Sequence, residues 1–260
     1  MTIGTVPYLN AVPLVWGLPV VGYDGEVCYG SPAELASWLQ KGEIDGGLIP
    51  IAEYFQGVGD AVVDGIALAS DGAVGSVLLV SKIPTFHIQS VSVDRGSRTS
   101  VLLLRILLAE RYGVYPVLLA TEPDVEVMLR KTDAALLIGD AALALQKDPA
   151  WIITDLGAEW KEMTGLPFVF AAWALREGSD QKRLARLLTD AKQEGIKNLP
   201  TIIAEEAERR RLDRSLVADY LTSRIQYDLT DRHLQSIYLF AEKCRRQGLI
   251  KSVRSIRLIS

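Results

Sequence analysis

The chain has 260 residues, 49% of them hydrophobic, and a formal net charge of −4 at pH 7. This length and composition are sufficient for one large or two smaller globular domains with a substantial core. The acidic balance argues against a general nucleic-acid binder, which usually carries a basic patch. The two cysteines, Cys28 and Cys244, are far apart and provide neither a disulfide framework nor a metal-ligand spacing.

Targeting and membrane-spanning segments are not predicted. The residues after Met1 lack a basic segment followed by a long apolar run, which is the pattern of a secretory signal. No uncharged apolar run reaches the roughly 18 residues of a membrane span. We therefore expect a cytoplasmic protein with neither a membrane nor a nucleic acid as partner. The sequence does not indicate its oligomeric state.

Strands and helices alternate through the first two thirds of the chain. Ser31 and Glu34 form a predicted capping box at a helix start, with Pro32 at the first helical position, and Gly42 predicts the end of that helix. Further helices are predicted at residues 97–112, at residues 121–131 and from residue 141 onward. The apolar runs that predict strands are residues 3–6, 45–50, 66–69, 76–80, 91–93 and 134–138.

The last third of the chain is different, because amphipathic helices follow one another there. They are predicted at residues 179–198, 201–211, 212–223 and 231–247. This order of elements predicts an α/β fold with mostly parallel sheets, helices on both faces of the sheets and a helical C-terminal segment.

The segment from Asp94 to Ser100 is the most informative local pattern. It predicts the end of a strand, a turn at Gly96 and a helix that opens on hydroxyl side chains. The first turn of a helix leaves backbone N–H groups unpaired and carries partial positive charge, and Arg98 adds a planar fork for a carboxylate or phosphate. The segment is therefore a candidate anion site, with an ordinary Ser/Thr cap on a buried helix as the alternative.

Small or polar residues follow several other predicted strands, which is where ligands bind in α/β folds. If these junctions converge, they line one cleft. Since two of them open helices, two anionic groups could be held at once, and the pattern favours a small dianionic ligand. The junctions are residues 7–10, 46–47, 72–76, 96–100 and 139–140.

Five segments, in this order, closely resemble the chorismate dehydratase family of the futalosine route to menaquinone (vitamin K2). They are residues 6–14 (Val-Pro-Tyr-Leu-Asn-Ala-Val-Pro-Leu), 97–100 (Ser-Arg-Thr-Ser), 137–143 (Leu-Ile-Gly-Asp-Ala-Ala-Leu), 155–160 and 164–170. Each segment alone is a weak signal, whereas the ordered set is specific. The resemblance covers roughly residues 3–175, and the helical tail fits the family only in length and character.

The resemblance implies a periplasmic-binding-protein-like type II fold, with two α/β lobes and a cleft between them. One lobe would comprise residues 1–78 and 170–260, and the other residues 79–169. The chain would cross between the lobes near residues 76–80 and 168–173, and the glycine-rich residues 71–75 could help the hinge.

The implied reaction is the dehydration of chorismate to 3-[(1-carboxyvinyl)oxy]benzoate, a hydro-lyase reaction. A proton leaves ring carbon 3, hydroxide leaves carbon 4, and the ring becomes aromatic. Chorismate is a dicarboxylate, which agrees with the dianionic ligand expected from the junctions. The resemblance implies neither a redox cofactor nor a metal.

Two residues are expected to act on the reacting atoms. Asn10 would polarise the leaving hydroxyl or orient the ring, since an amide both donates and accepts hydrogen bonds, and Ser76 matches the pocket serine of the family. Asp140 would contact a substrate hydroxyl or cap the helix at Ala141, and the cap is the favoured interpretation. The expected substrate-binding residues are Tyr8, Gly47, Ser97, Arg98, Thr99, Gly139 and Asp140.

The catalytic base is not identified by any motif. His87 and His233 lie outside the family segments, and we expect both at the surface or in packing. Glu53 and Asp140 are protein candidates, but a carboxylate of the substrate could itself take the ring proton, and we favour that substrate-assisted route.

Two other functions stay open. A binding protein for a small carboxylate would share the fold, although the absent signal sequence argues against a periplasmic carrier. The 1,4-dihydroxy-6-naphthoate synthase of the same pathway is also related, but the segments at residues 97–100 and 137–140 are not expected there in this form.

Overall fold

The computed structural model describes residues 1–94, 96–145 and 149–260. The described chain forms two β-sheets flanked by helices, as the α/β prediction required. The strands are β1 (Thr2–Thr5), β2 (Glu26–Tyr29), β3 (Gly46–Pro50), β4 (Ala61–Val63), β5 (Leu68–Ser70), β6 (Val77–Ser81), β7 (Ser90–Asp94), β8 (Val117–Thr121), β9 (Ala134–Ile138), β10 (Ile152–Asp155), β11 (Phe168–Leu175) and β12 (Leu258–Ile259).

Helices cover both sheets and dominate the last third of the chain. They are α1 (Val12–Val15), α2 (Pro32–Lys41), α3 (Ile51–Phe55), α4 (Thr99–Leu107), α5 (Val125–Lys131), α6 (Gly139–Leu143), α7 (Leu156–Thr164), α8 (Gln181–Lys197), α9 (Leu199–Arg210), α10 (Arg214–Asp219) and α11 (Asp231–Arg246). Short 3-10 turns lie at Leu9–Ala11 and Thr85–His87, and wider π-helical turns continue α4 at Leu108–Tyr112 and α10 at Tyr220–Arg224. None of the helices in the described ranges is long and apolar enough to cross a membrane.

The two sheets are mixed, so the expectation of mostly parallel sheets is only partly correct. Within the described residues the first sheet has the order β12-β4-β11-β3-β1-β2, with β5 also paired to β11, and the second has the order β10-β6-β9-β7-β8. Strands β1, β2 and β3 pair in parallel, as do β7, β8 and β9. The long strand β11 runs antiparallel to β3, and β6 runs antiparallel to β9.

The direction of β6 and β11 follows from where they begin. The parallel strands β3 and β9 end at Pro50 and Ile138, next to the candidate site described below. Strand β6 starts there, with Val77 opposite Ile138, and the first half of β11 places Ala171 opposite Pro50. A strand that begins at the edge where its neighbours end must run antiparallel to them.

The C-terminal segment is attached to the rest of the fold by an aromatic cluster. The rings of Trp160 (α7), Phe168 (β11) and Phe240 (α11) pack edge to face with centroids 5.2–6.1 Å apart. All three are buried, and the Trp160 indole N–H donates to Ser236 Oγ at 3.0 Å. Edge-to-face packing of large rings adds to the stabilisation from burial, so this cluster fixes α11 against α7 and β11.

Local sequence signals predicted some boundaries well. The capping box of α2 is present, since Glu34 N–H donates to Ser31 Oγ at 3.3 Å and Ser31 N–H donates to Glu34 Oε2 at 2.8 Å. Gly42 ends this helix with φ +76°. Strand β9 has the predicted bounds.

Other boundaries were wrong. Residue 121 ends a strand rather than starting a helix, because Asp124 caps α5 by accepting the Val127 N–H at 2.9 Å. Strand β8 was missed since it lies at the edge of its sheet, where apolar side chains such as Val117 and Leu119 stay exposed and the alternation is weak.

Candidate active site

A cavity that opens to solvent and contains about 640 Å³ of empty space is lined by residues from both sheets. Its walls are mostly apolar, which is typical of a small-molecule site that positions a few polar groups. The apolar residues that line it are Val6, Pro32, Leu48, Pro50, Leu68, Val74, Val77, Ile138, Phe170, Ala171 and Ile225. The remaining lining residues are Tyr8, Asn10, Ser76, Ser97, Arg98, Thr99, Ser100 and Gly139.

Ser97, Arg98 and Thr99, which we call the arginine group, lie at the N-terminus of α4. Arg98 stands at the cap position, and no side chain caps the helix. Ser97 Oγ is buried and has no hydrogen-bond partner among the residues that the structure describes. Thr99 Oγ1 accepts the Ala52 N–H at 3.2 Å, which leaves its own proton to donate. Unpaired donors at a helix N-terminus, beside a guanidinium, form a suitable pocket for a carboxylate.

Glu53 faces the arginine group from α3. Arg98 Nε lies 3.4 Å from Glu53 Oε1, and the Arg98 side chain is 51% exposed whereas that of Glu53 is 15% exposed. Burial raises the pKa of Glu53 above its ordinary value, and the nearby Arg98 opposes that rise. Glu53 is not among the lining residues, so it orients Arg98 and partly neutralises its charge from outside the cavity.

Asn10, Ser76 and Tyr220, which we call the tyrosine group, are uncharged. The Tyr220 hydroxyl donates to Ser76 Oγ at 2.8 Å, and both residues are almost completely buried, at 1% and 2% exposure. Burial raises the pKa of Tyr220 to about 12, while hydrogen bonding to Ser76 and Asn10 acts in the opposite direction. Asn10 Oδ1 is buried and has no hydrogen-bond partner in the described part of the chain. A carbonyl acceptor and a hydroxyl are therefore available at the cavity wall.

Tyr8 and Gly139 depend on each other. Gly139 has φ +61°, and a Cβ at this position would lie 3.1 Å from the Tyr8 ring. Its N–H donates to the carbonyl oxygen of Ser76 at 2.8 Å. Glycine is thus required both by the backbone conformation and by the approach of the ring. Burial, followed by the charge of Asp94, raises the pKa of Tyr8 to about 12, so the phenol stays protonated.

Gly47 and Asp140 lie outside the cavity lining. Gly47 is buried in the middle of β3, where a Cβ would meet the side chains of Ile49 and Ile44 at 3.1 and 3.2 Å. Glycine at this position is explained by packing between the sheet and its neighbours. The same strand reaches the cavity with Leu48 and Pro50, one and three residues after Gly47.

Asp140 does not cap a helix at Ala141, as the sequence suggested, because α6 already begins at Gly139. One carboxylate oxygen accepts the Leu9 N–H at 2.9 Å, and the other pairs with the Arg210 guanidinium. Arg210 also donates to the Pro7 carbonyl oxygen at 2.9 Å. The pair therefore connects α6 with the segment that carries Tyr8 and Asn10.

Asp155 gives the family segment at residues 155–160 a structural role. Its carboxylate accepts the N–H groups of Val74 and Gly75 at 3.1 and 2.6 Å and caps α7 through Gly157 and Ala158 at 2.9 and 3.1 Å. A Cβ on Gly157 would lie 2.5 Å from the Gly72 carbonyl oxygen. Asp155 and Gly157 thus hold the segment that leads into Ser76 close to α7.

The two histidines lie away from the cavity. His87 is exposed and packs edge-on against Phe86. His233 is buried in α11 and contacts Thr230 Oγ1 at 2.8 Å and Gln226 Oε1 at 2.9 Å. Neither histidine is among the residues that line the cavity. Across residues 1–94, 96–145 and 149–260, no three acidic, histidine or cysteine side chains form a group that could hold a metal ion.

Tyr220 and Arg210 were not found from the sequence. Both belong to the helical tail, more than 130 residues after Ser76, and neither is part of a recognisable motif. Only the amphipathic pattern of the tail is visible in the sequence, and it predicts packing rather than a site.

Known proteins are similar along almost the whole chain. A family model described as menaquinone biosynthesis matches residues 1–246. A chorismate dehydratase of Thermus thermophilus is 32% identical, and the alignment covers 92% of this chain and 93% of the relative. A chorismate dehydratase of Campylobacter jejuni is 28% identical over 96% of this chain and all of the relative.

Solved structures agree on the fold. A protein of Archaeoglobus fulgidus superposes with a TM-score of 0.78 at 18% identity, covering 96% of this chain and 98% of that one. The periplasmic aliphatic sulphonate binding protein of Escherichia coli has a TM-score of 0.68 at 13% identity, with 100% and 93% covered. The expected periplasmic-binding-protein-like fold is confirmed. Given the extent of the family match and the identity to its relatives, the chain belongs to the menaquinone biosynthesis family.

Proposed function

We propose that this protein is a chorismate dehydratase, a hydro-lyase that converts chorismate to 3-[(1-carboxyvinyl)oxy]benzoate in menaquinone biosynthesis. The observation that carries the proposal is the convergence of three family segments, through Asn10, Arg98 and Gly139, on one cavity. The similarity to two chorismate dehydratases over nearly the whole chain supports the same activity.

The arginine group is proposed to hold one carboxylate of the substrate. Ser97 and Thr99 have hydroxyl protons to donate, the first turn of α4 supplies backbone N–H groups, and Arg98 supplies the positive charge. The apolar side chains of the cavity, such as Ile138 and Phe170, then enclose the ring. They form no hydrogen bonds with the polar groups of the substrate, so those groups are left to the polar lining residues.

Asn10 and Ser76 are proposed to act on the leaving hydroxyl. Asn10 Oδ1 accepts a hydrogen bond from that hydroxyl, which keeps its proton and leaves as hydroxide, and the Ser76 hydroxyl donates a hydrogen bond to the same oxygen as negative charge develops. Donors and acceptors fixed in a dry site stabilise developing charge without reorganising. Tyr8 and Gly139 complete the wall against the ring.

The proton from ring carbon 3 is proposed to pass to a carboxylate of the substrate. The bond from carbon 3 to hydrogen breaks, its electron pair enters the ring, and the bond from carbon 4 to oxygen breaks as hydroxide leaves. The proton from carbon 3 and the hydroxide from carbon 4 together form water, and the aromatic product is redox-neutral with respect to chorismate. Glu53 is the protein alternative, but its carboxylate faces Arg98 rather than the cavity.

Two lobes are proposed, residues 1–78 with 170–260 and residues 79–169. The membership of the two sheets supports this division, since β1–β5, β11 and β12 form one sheet and β6–β10 the other. Closure of the lobes over chorismate would exclude water from the reacting atoms. We also propose a cytoplasmic location, in keeping with the biosynthetic family to which the chain belongs.

Turnover of chorismate by the purified protein tests the proposal, without added metal or cofactor. The ultraviolet spectrum and product mass should show the loss of one water and a new aromatic ring. Unchanged chorismate that binds tightly would instead indicate a carboxylate-binding protein, and absence of binding would direct the next test to the naphthoate synthase reaction. An Asn10→Leu variant of unchanged melting temperature provides the matched inactive control.

A further inference from the structure

The tyrosine group contains a residue that no family segment includes. Tyr220 lies in the π-helical turn Tyr220–Arg224 of the C-terminal tail, far along the chain from Ser76. Its hydroxyl nevertheless donates to Ser76 Oγ at 2.8 Å, and the ring is 1% exposed. A fully buried contact between the tail and the cavity wall requires a physical explanation, because burying a phenol hydroxyl is costly unless it is paired.

The direction of this hydrogen bond sets the direction of the next one. A serine hydroxyl has one proton and two acceptor lone pairs. Since Ser76 Oγ accepts from Tyr220, its own proton is not used in that bond, and it can be donated to a molecule in the cavity that Ser76 lines. The buried Tyr220 phenol, whose pKa is about 12, stays protonated and keeps donating throughout the neutral range.

We propose that Tyr220 is a positioning residue for the dehydration: it orients the Ser76 hydroxyl so that its proton points at the oxygen that leaves the substrate. This inference rests on the proposed function. Tyr220 acts only through Ser76 and is not itself among the residues that line the cavity. The C-terminal tail therefore contributes to turnover and not only to packing.

A double-mutant cycle tests the role of Tyr220. The variants are Tyr220→Phe, which keeps the ring and removes only the hydroxyl, Ser76→Ala, and the two combined. We expect Tyr220→Phe to lower kcat about tenfold and to leave KM within about threefold of wild type. Without Tyr220, the Ser76 hydroxyl loses its orientation, which weakens mainly the hydrogen bond that it donates to the leaving oxygen in the transition state. The combined variant should be no slower than Ser76→Ala, since without the serine hydroxyl there is nothing to orient.

Tyr227 provides a matched control. It is another buried tyrosine of the same segment, 6% exposed, but its hydroxyl has no hydrogen-bond partner within residues 1–94, 96–145 and 149–260. Tyr227→Phe should leave kcat within about twofold of wild type and should not lower the melting temperature, because it removes an unpaired buried polar group. Melting temperatures of all variants separate loss of turnover from loss of fold.

Two results would overturn the inference. One is an unchanged kcat for Tyr220→Phe. The other is a combined variant whose loss is the product of the two single losses, which is the signature of independent structural effects. Either result leaves the dehydratase activity of the wild type intact, so the proposed function would stand.

Chorismate binding distinguishes failure of the function from failure of the inference. If the wild type binds chorismate without dehydrating it, the proposed function is wrong, and the same cycle is measured on Kd by calorimetry. A tenfold weakening in Tyr220→Phe that vanishes in the Ser76→Ala background would then support the orientation of Ser76, and additive effects would contradict it. A wild type that neither binds nor converts chorismate contradicts both.

Discussion

The arginine group lines the cavity together with Asn10 and Ser76 of the tyrosine group, but the two groups differ in charge and burial. Arg98 carries a full charge on a side chain that is 51% exposed, and Glu53 partly balances it. Ser76 and Tyr220 are uncharged and at most 2% exposed. A half-exposed charge attracts a carboxylate at a distance but is screened by water. Buried neutral groups are fixed in direction and act at short range on charge that develops there.

This difference separates substrate binding from turnover. An interaction that is equally strong with substrate and transition state changes KM, whereas one that strengthens in the transition state changes kcat. We therefore expect substitutions in the arginine group to change mainly KM and substitutions in the tyrosine group to change mainly kcat.

The largest effect is expected for Asn10→Leu, which removes the amide and keeps a similar volume. Removing one oriented polar group from a site of this kind typically lowers kcat by about 100- to 1,000-fold. Initial rates over a range of chorismate concentrations would measure it. A change confined to KM would place Asn10 with the arginine group and break the proposed separation.

The second effect is expected for Arg98→Met, which keeps an unbranched apolar stem and removes the charge. Loss of a charge-assisted bond to one carboxylate should raise KM by about 10- to 50-fold and leave kcat within about threefold. Arg105→Met is the matched control, because Arg105 is exposed in the last turn of the same helix. A large loss of kcat in Arg98→Met would show that the arginine acts in the chemical step.

Gly139→Ala should have an effect of intermediate size, because Gly139 and Tyr8 form part of the cavity wall that serves both the arginine group and the tyrosine group. The positive φ and the Tyr8 ring at 3.1 Å both oppose a Cβ, so we expect about 1–2 kcal/mol lower stability and several-fold lower kcat/KM. Gly178→Ala shares the positive φ, at +78°, but a Cβ there meets nothing within 4 Å. Denaturant titration and kinetics of both variants isolate the contribution of the ring, and equal effects would contradict a role for Tyr8 contact.

The smallest effect is expected for Glu53→Gln. The substrate-assisted route gives Glu53 no proton to accept, so kcat should stay within about threefold, with a modest change in KM as Arg98 loses its ionic partner. Steady-state kinetics at neutral pH would measure both. A loss of kcat by orders of magnitude with normal KM would make Glu53 the base, and the same result for Asp140→Asn would identify Asp140.

Sequence reasoning predicted the parts of the site that are encoded locally. The N-terminus of α4 is visible in Ser97–Thr99 because a glycine followed by hydroxyl side chains at a strand-to-helix junction is typical of a helix start that can hold an anion. The capping box of α2 and the buried strand β9 are local patterns of the same kind.

The rest depends on contacts between distant parts of the chain. Asp140 looks like a helix cap in sequence, and only the fold shows that Arg210, 70 residues later, pairs with it. Tyr220 is an ordinary apolar position of an amphipathic helix until the tail is packed against Ser76. No local pattern distinguishes these residues from core residues, which is why the arginine group could be predicted and the tyrosine group only in part.

The carboxylate of Asp155 has a consequence for motion in the molecule. By accepting the backbone N–H groups of Val74 and Gly75, it ties the end of the connecting segment to α7. We therefore expect any hinge rotation to be taken up before this tie, near Gly72, where φ is +117° and space is open. Ser76 would then move with β6 and α7, which puts the boundary between the proposed lobes near Gly72 instead of residue 78 and leaves Tyr220 in the other lobe. Rotation at this point would move the Tyr220 hydroxyl away from Ser76 Oγ, so we expect their 2.8 Å hydrogen bond only when the lobes are closed.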